Sequence, residues 1–152
     1  MGRIVCSVDD SDGARRALGV ARDLAERLGL ELVLVHVAPR TEAPGVSAAP
    51  AGQRRLHELA LRDAEELLTR LHREAGLPDD VRQRAAIGDA AARIVALSAD
   101  EDAELLVIGS RGRSGVTSAV LGSVSGRVAA TAPCPCVVVP PSVSHRPSPA
   151  PA

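Results

Sequence analysis

No phenylalanine, tyrosine or tryptophan occurs in the 152 residues of this chain. Single-strand and RNA-binding modules stack bases on aromatic rings, so that mode of recognition is excluded. Lysine is missing as well, since all 18 basic residues are arginines. A Walker A phosphate loop ends in Gly-Lys-Ser/Thr and Schiff-base chemistry needs an amine, so both are excluded. No apolar run approaches the ~20 residues that cross a bilayer. The start, Met1-Gly2-Arg3-Ile4-Val5, lacks the apolar stretch of a signal peptide. Cysteine is scarce, three residues without framework spacing, which leads us to expect a reducing, cytoplasmic setting. The formal net charge of −1 shows no basic footprint for nucleic acid or anionic membrane. Against these absences stand 45% hydrophobic and 24% charged residues, the proportions of one ordinary globular domain.

Short β-rich runs alternate with amphipathic segments, which predicts an α/β fold: an open parallel five-stranded sheet with helices on both faces. Ile4 to Val8 reads as the first strand, ending in the turn and cap residues Asp9-Asp10-Ser11-Asp12. Ala14, Ala17, Leu18, Ala21, Leu24, Ala25 and Leu28 recur at helical spacing before Gly29 stops the helix. Leu32 to Val37 is apolar on both faces, as in a strand covered from both sides. A Pro/Ala/Gly/Ser stretch from Ala38 to Gly52 reads as a loop, and Gln53 to Ala75 as a helix with Glu58–Arg62 and Glu66–Arg70 pairs. Residues 81–87 alternate like a half-exposed edge strand, and Gly88-Asp89 caps a helix to about Ala99. Leu105 to Ile108, a helix over Ser123–Thr131 and Cys136 to Val139 complete the pattern. The domain is expected over 1–140, with 141–152 a disordered Pro/Ser-rich tail.

Ligands of open α/β sheets bind outside the carboxyl ends of the strands. Two such ends carry chemistry here. Asp9-Asp10-Ser11 follows the first strand, and Gly109-x-x-Gly112, nine residues and Gly122-Ser123 follow the fourth. Gly109 lets a ligand approach the backbone, and Gly112 permits a turn with positive φ. Gly122-Ser123 opens a helix whose unpaired N–H groups favour a phosphate, so a side chain at 122 is expected to occupy the anion's position. Ser123 and Ser125 add hydroxyls, and Arg111 and Arg113 add positive charge. Among the remaining candidates, His36 at a strand end reads as a structural or site-lining residue. Cys134-Pro135-Cys136 reads as buried thiols, because it is C-x-C with no second pair. No metal-ligand spacing is present.

Ile108-Gly109-Ser110-Arg111-Gly112, followed by Leu121-Gly122-Ser123-Val124-Ser125, resembles the nucleotide-binding signature G-x2-G-x9-G-[ST] of the universal stress protein family. Val8-Asp9-Asp10-Ser11, His36-Val37 and Ala132-Pro133-Cys134-Pro135 match further landmarks, so the resemblance covers about residues 3–140. It implies a flavodoxin- or Rossmann-like fold of the adenine nucleotide alpha hydrolase type that binds ATP, with Mg²⁺ as an accompanying ion. Carried over by position, Asp9 contacts the nucleoside with Ser7 beside it, and Val37 meets the adenine. Ile108 and Gly109 line the base and ribose, and Gly112, Gly122, Ser123, Val124 and Ser125 hold the phosphates. Relatives commonly dimerise through the last strand, here Cys136 to Val139. One departure is Asp10, where many relatives have glycine; a second carboxylate there either repels a phosphate or helps hold Mg²⁺.

The implied function is an ATP-binding stress-response regulator acting as a nucleotide-dependent homodimer, with no nucleic acid or membrane partner. The alternative is a slow ATPase using the same site. A phospho-accepting receiver domain also follows its first strand with an Asp pair, but it needs an acceptor Asp after the third strand and a lysine near the last. Asp89 stands at the former position, and the chain has no lysine.

Overall fold

The computed structural model describes residues 1–40, 50–110 and 121–141. Strands and helices alternate: β1 (Arg3–Ser7), α1 (Asp12–Leu28), β2 (Glu31–Ala38), α2 (Pro50–Glu74), β3 (Arg82–Ile87), α3 (Ala90–Asp100), β4 (Ala103–Gly109), α4 (Ser123–Thr131) and β5 (Cys136–Val139). The strands pair in parallel in the order β3-β2-β1-β4-β5. This is the expected five-stranded sheet, in the strand order of a Rossmann domain, and its winding reverses between β1 and β4.

Helix ends lie where local chemistry puts them. Ser11 caps α1 by accepting the Ala14 N–H (3.1 Å), and Gly29 ends it in the left-handed region at φ 66°. Asp89 caps α3 in the same way through the Ala92 N–H (3.0 Å). Helix α2 starts at Pro50, three residues before the apolar periodicity begins at Gln53. A proline in the first turn loses no intrahelical bond and its fixed φ suits a helix, so this start carries no apolar signal. The Glu66–Arg70 expectation gives way to a longer reach, since Arg70 donates to Asp10 (3.1 Å), and Glu58 stands beside Arg55 (3.7 Å).

Two apolar layers sandwich the sheet. One joins Ala14, Ala17, Leu18 and Ala21 of α1 and Leu68 and Leu71 of α2 to Ile4, Cys6 and Leu34. The other joins Ala91, Ile94 and Leu97 of α3 and Val128 of α4 to Val5, Val33, Val35 and Leu106. The central strands are thus buried on both faces, which is why β2 reads as an unbroken apolar run. Strand β3 is the half-exposed edge strand expected, with one addition on its charged face. Arg82 and Arg84 lie on the face of buried Ala86 and reach across to Glu101 at the end of α3.

Cys6 sits inside the first layer, fully buried, and burial pushes its thiol from 9.0 up to about 12. The unfolded thiol ionises near its ordinary value while the folded one stays protonated. This contribution is complete below pH 9 and disappears as the pH rises toward 12, at about 1.4 kcal/mol per pH unit. With no lysine or tyrosine to titrate in that range, urea midpoints measured from pH 8 to 11 should fall above pH 9. The fall should be smaller in Cys6→Val; an equal fall in both proteins refutes the assignment to Cys6.

Candidate functional site

The carboxyl ends of β1, β2 and β4 and the first turns of α3 and α4 enclose a cleft of about 360 Å³. That volume is within the range of small-molecule sites, ~300–1,000 Å³. From β1 come Ser7, Val8 and Asp9; from β2, His36 and Val37; from β4, Ile108, Gly109 and Ser110. Ala90 and Ile94 of α3 form one wall, and Gly122, Ser123, Val124 and Ser125 open α4 on another. Nine of the ten expected site residues therefore meet in one place. The tenth, Gly112, lies outside the described residues, as do Arg111, Arg113 and the tail after Pro141.

At the β1 end, three consecutive residues divide the work. Asp9 lines the cleft and accepts a hydrogen bond from the Ser11 hydroxyl, which also caps α1. Asp10 faces the other way, its two carboxylate oxygens accepting from Arg15 Nη2 (2.9 Å) and Arg70 Nη2 (3.1 Å). Asp10 is thus turned toward α1 and α2 and is not among the described residues that line the cleft. Ser11→Ala removes the cap and the hydroxyl on Asp9 together. We expect a loss of about 1 kcal/mol in urea unfolding, with Ser11→Asp retaining most of it; no loss in Ser11→Ala contradicts the capping role.

His36 donates Nδ1–H to the Val8 carbonyl (2.7 Å), the orientation that a carbonyl acceptor demands. The contact ties the end of β2 to the end of β1, so His36 is both structural and part of the cleft lining, as its strand-end position suggests. Asp89 caps α3 and takes a two-pronged bond from Arg127 of α4 (3.0 and 2.9 Å). The Arg127 guanidinium, helped by the Ala92 N–H, holds its carboxyl below the usual carboxylate range. This pair spans the outer sides of the two helices whose first turns line the cleft.

The α4 end holds the feature that matters most. Gly122 is the cap residue, and among the described residues no side chain caps the helix there, in contrast to α1 and α3. The first intrahelical bond runs from the Gly126 N–H to the Gly122 carbonyl (2.9 Å), so the N–H groups of Ser123, Val124 and Ser125 precede the ladder. They lie at the cleft, at the positive end of the helix dipole. Gly122 N–H donates to the Ser110 carbonyl (2.9 Å), and a Cβ on Gly122 would lie 2.8 Å from that oxygen. Glycine is thus required for the close crossing of two backbone segments. The expectation that a side chain at 122 displaces an anion is corrected accordingly: it meets the Ser110 carbonyl first.

Ser125 also differs from expectation. Its hydroxyl is buried and donates to the Ser110 carbonyl (2.9 Å), with Gly122 O a second acceptor at 3.2 Å. Its proton is committed inside the protein, and the hydroxyl braces the crossing from below. The sequence reading gives this hydroxyl to a phosphate, whereas it donates to the main chain of Ser110.

The model of the universal stress protein family matches residues 1–140. The chain belongs to that family. A universal stress protein of Thermus aquaticus is 36% identical over 146 residues, covering 90% of this chain and 96% of the relative. A universal stress protein of Mycobacterium tuberculosis is 36% identical over 139 residues, covering 89% of this chain but 44% of its own length. Among solved structures, UspA of Lactobacillus plantarum superposes with a TM-score of 0.73 at 22% identity, covering 91% of this chain and 97% of that one. A universal stress protein solved in complex with cAMP gives 0.59 at 24% identity, covering 91% and 96%. These structural likenesses establish the fold. Universal stress proteins thus share the layered architecture built here from Arg3 to Val139. Among the described residues, no helix is long and apolar enough to cross a membrane, and no group of three metal-ligating side chains occurs.

Proposed function

We propose that this universal stress protein binds ATP in the cleft at the ends of β1, β2 and β4 and acts as a cytoplasmic, nucleotide-dependent regulatory dimer joined through β5. The observation that carries the reading is the uncapped first turn of α4, which presents main-chain N–H groups and a helix dipole to the cleft. In this assignment Ser123, Val124 and the peptide of Gly122 hold phosphate oxygens, and Gly112 and Ser125 complete and brace the loop. Val37, Ile108 and Gly109 give adenine an aliphatic and main-chain slot in a chain with no ring to stack on it. Asp9 and Ser7 take the nucleoside side. The nucleotide in the relative solved with cAMP supports the ligand class.

The donor set fits a phosphate tail better than it fits a bare cation. Asp9 is the one carboxylate among the described lining residues, so Mg²⁺ is held by phosphate oxygens with at most Asp9 from the protein. The same scarcity favours binding over turnover, because hydrolysis needs a positioned base and the Asp9 carboxylate already accepts from Ser11. Regulation then comes from occupancy.

Mass analysis of the natively purified protein should reveal a bound adenine nucleotide, and calorimetry should show one ATP per chain. Ser123→Ala, at the exposed mouth of α4, should cost about 1.5–3 kcal/mol of binding, the worth of one hydrogen bond to a charged group. An effect below a few tenths, or a chain that takes up no adenine nucleotide, overturns the assignment.

A further inference from the structure

Cys134-Pro135-Cys136 is not among the described residues that line the cleft, and the expectation of buried thiols there is corrected by the structure. Cys6 is buried, whereas Cys134 and Cys136 are half-buried. Side chains alternate through this segment. Cys134, Cys136 and Val138 pack against the layer formed with α3 and α4, and Val137 and Val139 against the layer formed with α1 and α2. Two thiols therefore stand side by side on one face at the start of β5, with a single proline between them in sequence.

The main chain that carries them is held before any ligand arrives. Pro133 and Pro135 flank Cys134, fixing two φ angles and restricting the residue between them to extended backbone. The Pro135 carbonyl accepts the Leu106 N–H (3.0 Å), and Cys136 is in register with Leu106 of β4. Residues two apart on a strand lie about 6.6 Å from each other. That is too far for a disulfide, whose β-carbons are about 3.5–4.5 Å apart, unless the backbone moves. It suits an ion held in line between two sulfurs. Two metal–thiolate bonds of about 2.3 Å span about 4.6 Å, so each sulfur has only to lean about 1 Å toward the other.

We propose that Cys134 and Cys136 form a two-coordinate thiolate site for a soft monovalent cation, Cu(I). Structural zinc and iron–sulfur clusters take four ligands, and no group of three metal-ligating side chains occurs among the described residues. Burial raises both thiols, and at Cys136 the neighbouring Cys134 adds to the rise, so both carry protons at neutral pH. Binding breaks two S–H bonds, forms two Cu–S bonds and releases two protons to the buffer; the copper stays monovalent and no electron moves. Cys6 is sealed in the layer on the opposite face of the sheet and has no second thiol beside it.

The test titrates the full chain with Cu(I), kept reduced by ascorbate under nitrogen, against the chelator bathocuproine disulfonate. We expect one Cu(I) per chain, two protons released per ion at neutral pH, and both Cys134 and Cys136 shielded from iodoacetamide in peptide mass spectra. Cys134→Ser and Cys136→Ser should each bind at least about 100-fold more weakly, since a second ligand already in place acts at high effective concentration. Affinity in either variant within about threefold of the unaltered chain overturns the pair as the site. One proton per ion, or one ion for every two chains, overturns chelation by both thiols of one chain, and these two counts need no variant.

Discussion

Gly122→Val should reduce ATP affinity by about 100-fold or more, while thermal unfolding shifts by only a few degrees. The Cβ that valine adds lies 2.8 Å from the Ser110 carbonyl oxygen and 3.4 Å from Ser125 Oγ, so one of two main-chain segments has to move. Displacing the first turn of α4 misdirects the N–H groups of Ser123 and Val124, and losing two bonds to phosphate at about 1.5–3 kcal/mol each yields a change of that size. Gly122→Ala carries the same Cβ and should lose nearly as much, which separates this cause from simple bulk in the cleft. Calorimetry with ATP on both variants is the measurement, and wild-type affinity in Gly122→Ala would contradict the crossing as the origin of the site.

The second large effect is far from the cleft. Glu101 is 1% exposed, and its carboxylate receives Arg82 Nη1 (2.7 Å), Arg84 Nη1 and, at 3.7 Å, Arg3 Nη1, while Arg3 also donates to the Glu101 main-chain carbonyl (3.1 Å). One acid thus joins the starts of β1 and β3 to the end of α3. Removing the shared partner of a buried ion cluster leaves its counterions uncompensated and costs roughly 3–5 kcal/mol. Here the arginines are 28–51% exposed and regain water, so Glu101→Leu should fall at the lower end, about 3 kcal/mol, read from the urea midpoint. Arg82→Met should lose much less, since two guanidiniums remain on the carboxylate. Equal losses in the two variants would show that the pairs act separately.

The fold was largely readable because its signals are local. Period and caps placed β2, α4 and β5 within a residue or two, and Ser11, Gly29 and Asp89 end their helices by side-chain or backbone chemistry that depends on few neighbours. The cleft was readable for a related reason: strand ends and a glycine-opened helix converge in any sheet of this winding. What stayed hidden depends on residues distant in sequence. Arg82 and Arg84 look like the wet side of an edge strand until Glu101, 19 and 17 positions later, is brought beneath them. Two arginines at alternate strand positions, on the face of an apolar Ala86, were the available clue that a countercharge lay nearby. Asp10 likewise finds Arg70 60 residues away, and Gly122 finds the Ser110 carbonyl only through the closure of a long connection.

The peptide unit ending in Ser110 has one further consequence. Its nitrogen side is fastened to the last residue of β5, while the carbonyl of the same residue receives both Gly122 and Ser125 from the start of α4. A rim of the cleft and an outer border of the sheet thus share a hinge pin one residue wide. The amide proton of Ser110, held by the Val139 carbonyl, is where exchange with heavy water reads how firmly that pin is seated.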